Sequence, residues 1–380
     1  MMKIISGGVT AARGFQANGI ACGIKRSGKP DLALIACEVL ANSACVFTRN
    51  SIKAAPVLVT QKKARLPKAR AIIVNSGNAN CFTGPFGLLY AQKSTEVIAG
   101  LLNIDEKYVL VASTGIIGKP LPYRKIESAA PLLVKGLSKA NGRKAARAIL
   151  TTDKAAKEVA AEFFLDGKKV IMGGCIKGSG MIHPDMATML SFITTDAAID
   201  SRMLRGALRQ AVQQSFNCIT IDGCMSTNDM VHVMASNLAG NTLIMSPNRD
   251  FKIFCEALNY VCLDLAKKIV LDAEGATKFI EVDVLGAASE EQARKVGFAI
   301  ANSNLVKTAA YGSDPNWGRV AAAVGSTGLP VTERELKIRF TSFEKKEIVI
   351  SVDLNLGKHK AAVYTSDLSL EYVRINGRYN

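Results

Sequence analysis

Short apolar runs punctuated by turn-forming residues dominate the first third of the chain. Asp31-Leu32-Ala33-Leu34-Ile35-Ala36 and Ala71-Ile72-Ile73-Val74 are two of them, and Tyr108-Val109-Leu110-Val111-Ala112 runs into Ser113-Thr114-Gly115. Runs of this length with such boundaries predict buried strands. A helical period takes over at 86–102 and again at 123–139, where Ile126, Ala130, Leu133 and Leu137 recur. Leu204, Leu208, Ala211, Val212 and Phe216 mark a further amphipathic helix. The longest predicted helix covers about 250–271, with Phe251, Phe254, Leu258, Val261, Leu265 and Ile269 on one stripe. Met189 to Thr195 reads as a strand, and from about 337 alternation returns, as in Ile348-Val349-Ile350-Ser351-Val352-Asp353-Leu354. No internal repeat or low-complexity linker interrupts the pattern. The expected class is α/β (α+β), with mixed, largely antiparallel sheets layered with helices.

Composition narrows the function. The 380 residues are 48% hydrophobic and 21% charged, enough to bury a core without staples. No apolar run approaches the roughly 18 residues of a membrane span. The start, Met1-Met2-Lys3-Ile4-Ile5-Ser6-Gly7-Gly8, breaks at two glycines and does not read as a signal peptide. A soluble, cytoplasmic protein is therefore expected. Nine cysteines occur with no CxxC pair, and Cys255 and Cys262 fall on the apolar stripe of one helix, as reduced core thiols would. The three histidines, His183, His232 and His359, are dispersed. Neither a disulfide scaffold nor a zinc module is expected, and no bound metal. The formal charge of +16 raises the alternative of a nucleic-acid-binding protein. The basic residues are scattered in pairs such as Lys62-Lys63 and Lys267-Lys268, and aromatics make up only 6%. A solvated basic surface follows, with neither nucleic acid nor membrane as partner. The stretch Gly173-Gly174-Cys175-Ile176-Lys177-Gly178-Ser179-Gly180 fits neither phosphate-loop pattern, and no Gly-x-Ser-x-Gly elbow is present.

One segment stands apart: Lys177-Gly178-Ser179-Gly180-Met181-Ile182-His183-Pro184-Asp185-Met186-Ala187-Thr188-Met189-Leu190. Its glycines permit unusual dihedrals close to a lysine and a threonine. Taken alone, it is a loop capping the next element. It resembles, however, the nucleophile motif of the ornithine acetyltransferase (glutamate N-acetyltransferase) family of arginine biosynthesis. Further blocks are similar to the family's in the same order: Asn75-Ser76-Gly77-Asn78-Ala79-Asn80, Ser113-Thr114-Gly115-Ile116-Ile117-Gly118, Ser226-Thr227-Asn228-Asp229, Glu274-Gly275-Ala276-Thr277-Lys278 and Asp314-Pro315-Asn316-Trp317-Gly318-Arg319. The resemblance runs from about Gly7 to the C-terminus.

The resemblance implies an enzyme that cuts its own chain at Ala187–Thr188 into segments 1–187 and 188–380, which interlock in one fold. It implies that Thr188, now with a free α-amine, is the nucleophile. An α-amine titrates at about 7.7–8.0, so near neutral pH a fraction is available as base for the threonine's own hydroxyl. The implied reaction moves an acetyl group from N2-acetylornithine to glutamate through an acetyl-Thr188 ester. By family position Thr114 and Gly115 stabilise the oxyanion, and Thr151, Lys177, Thr188, Glu274 and Asn376 contact substrate; adjacent Thr152 fits the Thr151 alignment equally. Gly275 explains where the long helix stops, whereas nothing local explains Glu274. The family also implies two copies of each segment, no bound cofactor, and acetyl-CoA as a co-substrate in those members that also make N-acetylglutamate from it. One departure is visible. The family's C-terminal Asn-x-x-Tyr continues into a substrate-touching Thr or Ser, while Asn376-Gly377-Arg378-Tyr379-Asn380 does not, a departure that bears on substrate affinity and not on the reaction type. An N-terminal-threonine amidase or aminopeptidase of related architecture is the alternative.

Overall fold

The computed structural model describes residues 2–183 and 189–377. The described residues divide into two compact bodies. The first comprises residues 2–178, 189–216 and 225–265, and the second 179–183, 217–224 and 266–377.

In the first body, nine strands make one mixed sheet: β1 (Lys3–Ile5), β2 (Phe15–Ile20), β3 (Leu32–Phe47), β4 (Lys68–Asn78), β5 (Val109–Ile116), β6 (Lys157–Leu165), β7 (Lys168–Lys177), β8 (Leu190–Thr195) and β9 (Met230–Ala235). Their order is β1-β6-β7-β8-β9-β3-β4-β5, with β2 added on β3. Only β4–β5 and β8–β9 pair in parallel. The short apolar runs become strands because both faces are covered. Along β3, Leu32, Leu34 and Ala36 point into one core with helices α1 (Ala55–Lys63), α2 (Gly84–Leu102) and α3 (Tyr123–Lys135). The intervening Ala33, Ile35 and Cys37 point into a second core with α4 (Gly142–Ala148). That is the two-residue period of a strand buried on both sides. The helix expected over 123–139 ends at Lys135, because Gly136 closes it and a short 3₁₀ turn, Lys139–Asn141, follows.

Strand β3 is long enough to serve two halves of the sheet. Its first half pairs with β4 and its second half with β9, and its register against β4 shifts between Ala36 and Ala41. Such a bulge bends the strand. The remaining helices of this body include α5 (Ser201–Gln213), capped by Asp200, and the first part of α6 (Arg249–Leu271). On α6, Phe254, Leu258, Val261, Cys262 and Leu265 are fully buried, as their stripe predicts. All nine cysteines are free thiols.

The second body holds a four-stranded sheet, β10 (Phe279–Ala287), β11 (Lys337–Phe340), β12 (Glu347–Asp353) and β13 (His359–Ser366), in the order β11-β12-β10-β13. Helices α7 (Glu290–Ala301), α8 (Asn304–Tyr311) and α9 (Trp317–Gly325) share its core with Val282, Val284, Ile348, Ile350 and Val363. The last helix is α10 (Leu370–Asn376). Among the described residues no helix is long and apolar enough to cross a membrane.

Candidate active site

The expected turn at Ser113-Thr114-Gly115 is instead the end of β5, which continues to Ile116. What extends it is an asparagine scaffold from neighbouring segments. Ser113 Oγ donates to Asn75 Oδ1 at 2.6 Å, and Asn75 Nδ2 donates to the Asn78 carbonyl at 2.8 Å. Asn228 Nδ2 bridges the Ala79 and Ser113 carbonyls at 2.7 and 2.8 Å. Two of the sequence blocks, Asn75–Asn80 and Ser226–Asp229, thus hold a third in place. Gly115 has φ +133°, and a Cβ there would lie 2.4 Å from the carbonyl carbon of Gly77 and 2.5 Å from the nitrogen of Asn78. Only glycine fits this position.

Lys177 lies not in a loop but at the end of β7, where it is buried. Its Nζ donates to Thr114 Oγ1 at 3.4 Å. In sheet order β7 and β5 are separated by β8, β9, β3 and β4. At about 4.8 Å per strand a flat sheet would hold them roughly 24 Å apart. The sheet is therefore strongly curved between β7 and β5. This curl brings two sequence-predicted residues into contact.

A group of buried charges lies beside them. Asp153 Oδ1 is 2.6 Å from Lys157 Nζ and accepts the Gly178 N–H at 2.7 Å, while Oδ2 accepts the Thr151 N–H at 3.0 Å. Burial alone would raise the Asp153 carboxyl, but the Lys177 and Lys157 charges outweigh it and hold the group well below the usual carboxylate range. Lys25 is pushed down to about 8, chiefly by burial, with Asp31 and Asp153 pulling the other way. Sequence reasoning missed Asp153, Lys157 and Lys25. The Asp-x-x-x-Lys spacing of the first two is common on surfaces and carries no sign of burial.

Where the described chain resumes, Met189 is tied to the start of β9. Its N–H donates to Asp229 Oδ1 at 2.9 Å, and its carbonyl accepts from Met230 at 3.1 Å. Asp229 is fully enclosed, and burial pushes its carboxyl well above the ordinary range despite the Met189 N–H and the Lys177 charge. Leu190 then pairs with Lys177 on one side and Met230 on the other. Ala187 and Thr188 lie outside the described residues, as does the C-terminal segment Arg378–Asn380.

In the second body, Glu274 and Asn376 meet. Asn376 Nδ2 donates to Glu274 Oε2 at 2.8 Å, so the carboxylate with no local explanation in the sequence has a partner 102 residues away. Glu274 is buried, its N–H donates to the Ser179 carbonyl at 2.8 Å, and a Cβ on Gly180 would lie 2.4 Å from its Oε2. Asp222 fastens the same segment by accepting the N–H groups of Met181 and Ile182 at 2.6 and 2.9 Å. Gly275 does not stop the long helix, which ends at Leu271. It has φ +69°, and a Cβ there would lie 2.3 Å from the Tyr372 nitrogen, so it permits the close approach of α10.

The sequence profile of the ArgJ family matches residues 16–380. The chain belongs to the ArgJ family. The arginine biosynthesis bifunctional protein ArgJ of Caldanaerobacter subterraneus subsp. tengcongensis is 45% identical, covering 100% of each chain. The protein of the same description from Bacillus anthracis is 45% identical over 99% of this chain and 98% of its own. A solved ornithine acetyltransferase chain from Mycobacterium tuberculosis, described as complexed with ornithine, is 38% identical; it covers 48% of this chain and 98% of that one, with a TM-score of 0.45. Within this ArgJ-family chain, the described residues include no group of His, Cys, Asp and Glu side chains placed to hold a metal ion.

Proposed function

We propose that this ArgJ-family chain is an acyltransferase of arginine biosynthesis that moves the acetyl group of N2-acetylornithine to glutamate through an ester on Thr188. The observation that carries the reading is the approach to Thr114 of Lys177, which ends β7 and pairs with Leu190 at the start of β8. Belonging to the ArgJ family supplies the reaction class.

In the proposed sequence the Thr188 hydroxyl first attacks the Ala187 carbonyl, the peptide bond gives way to an ester, and water hydrolyses that ester, leaving segments 1–187 and 188–380 with a free amine on Thr188. Support comes from the sheet: β7, before the bond, pairs with β8, after it, and β3 pairs with β9. Two cut segments that share a sheet core stay together. The Thr188 hydroxyl then attacks the acetyl carbonyl while its own α-amine takes the hydroxyl proton. The negative charge that develops on the carbonyl oxygen is met by the Thr114 hydroxyl and the Gly115 N–H. One preorganised donor of this kind contributes about 3–4 kcal/mol in the transition state. The C–N bond breaks, the proton passes to the departing nitrogen, and ornithine leaves. The glutamate amine attacks the ester, the C–O bond breaks, N-acetylglutamate departs and the Thr188 oxygen regains its proton. Lys177 and Thr151 bind the anionic part of the substrate, and Glu274, oriented by Asn376, receives the ornithine ammonium. Acetyl-CoA acts as an alternative acetyl donor, and the working assembly holds two copies of each segment.

Two measurements test this. Intact mass under denaturing conditions is expected to give segments of 187 and 193 residues from the purified chain. A Thr188→Ala variant is expected to stay in one piece and to transfer no acetyl group; residual transfer would remove Thr188 as nucleophile. Ornithine release that needs no glutamate would point to hydrolysis instead.

A further inference from the structure

Among the buried charges of the first body, Asp153 stands out because nothing in the proposed acetyl transfer uses it. Its side chain has no solvent exposure, and that of Lys157 only 4%. A buried pair of this kind can be purely structural, and such pairs are weak evidence for anything more. A structural pair, however, needs only the 2.6 Å contact between Asp153 and Lys157. Here the carboxylate also takes two backbone N–H groups: Gly178, the residue after Lys177, at 2.7 Å, and Thr151 at 3.0 Å. Lys177 in turn reaches Thr114 Oγ1 at 3.4 Å. One rigid, doubly committed carboxylate thus holds the backbone at two residues assigned to the substrate, and the fold of the sheet sets a third against them.

We infer that Asp153 is a positioning residue: its two oxygens set the spacing between the Thr151 peptide and Lys177, and so shape the site for a substrate bearing a carboxylate. This rests on the preceding functional reading. Because charge-assisted acceptors of backbone N–H groups are short and directional, an arm of different length cannot satisfy both amides at the same spacing. The negative charge of Asp153 further keeps the site from carrying uncompensated lysines.

The test uses the full chain, beginning with glutamate-dependent release of ornithine by the unmodified protein. Absence of that activity would overturn the functional reading and this inference with it. Asp153→Asn alone takes the buried counter-charge away from Lys157 and is expected to destabilise the chain. The double variant Asp153→Asn/Lys157→Met removes the pair together and is expected to fold, since such replacements are often neutral in stability. Its KM for N2-acetylornithine is expected to rise by about tenfold or more, with kcat changed much less, and calorimetry with ornithine is expected to show the same loss of affinity. Asp153→Glu keeps the charge and the Lys157 partner, so it reports on geometry alone, and its KM is also expected to rise. A folded double variant with the original KM, or an Asp153→Glu chain indistinguishable from the unmodified one, would overturn the inference while leaving the acetyl-transfer reading intact.

Discussion

Adding one methyl group at Gly115 tests the strand end and the chemistry together. The residue has φ +133°, a region essentially reserved for glycine, so alanine there costs about 1–3 kcal/mol of backbone strain. The new Cβ would also sit 2.4 Å from the Gly77 carbonyl carbon and 2.5 Å from the Asn78 nitrogen. These are backbone atoms of the parallel partner strand and cannot rotate aside, so β5 must shift against β4. Overpacking of this sort adds about 1–3 kcal/mol. The Gly115→Ala chain is thus expected to lose about 2–6 kcal/mol, a large part of the 5–15 kcal/mol typical of a domain. A shift of a few tenths of an ångström also moves the proposed oxyanion donor off its target, which predicts a fall in kcat of about 10²–10³-fold. Urea denaturation and the single-turnover rate of ornithine release measure the two effects. A variant that is destabilised yet transfers acetyl at the original rate would remove Gly115 from the oxyanion site. One unaltered in both would refute the steric reasoning itself.

Asn376→Ala removes the amide that donates to the buried Glu274 carboxylate at 2.8 Å. Because Asn376 is exposed, the lower end of the charged hydrogen-bond range, about 1.5 kcal/mol, applies, and KM for N2-acetylornithine is expected to rise about tenfold with little change in kcat. The reverse pattern in steady-state kinetics would take Asn376 out of the substrate site. Gly180→Ala would place a Cβ 2.4 Å from Glu274 Oε2, forcing that flexible carboxylate aside, so a similar KM effect is expected without any change to Asn376. Wild-type kinetics in this variant would argue against Glu274 as the ammonium partner. His232 is fully buried against Ser43 Oγ at 2.9 Å, and burial holds its pKa down to about 3. Its stabilising effect is complete above the unfolded value of about 6.5 and is lost as pH falls toward 3, at about 1.4 kcal/mol per unit. His232→Gln is expected to flatten the urea midpoint between about pH 6.5 and pH 4 relative to the unmodified chain; an unchanged slope would assign that loss to other groups.

Much of the local structure is written in periodicity. The stripe on α6 and the runs that became β3, β4 and β12 were legible because burial of one face or two leaves a mark at every second or fourth residue. The blocks Asn75–Asn80, Ser113–Gly118 and Glu274–Lys278 were legible as a family resemblance, and the ArgJ profile matches nearly all of the chain. The tertiary structure decided the rest. The burial of Lys177 was not legible, because a single lysine among glycines carries no signal of the strand pairing that buries it. Its contact with Thr114 depends on the curvature of a sheet in which four strands separate β7 from β5, and no local pattern announces that curvature. The burial of Asp153 beside Lys157 and the meeting of Glu274 with Asn376 were hidden for the same reason. A charge has no period, and whether it faces water or a lysine is settled only when segments distant in sequence, here 102 residues apart for Glu274 and Asn376, are brought together and water is excluded.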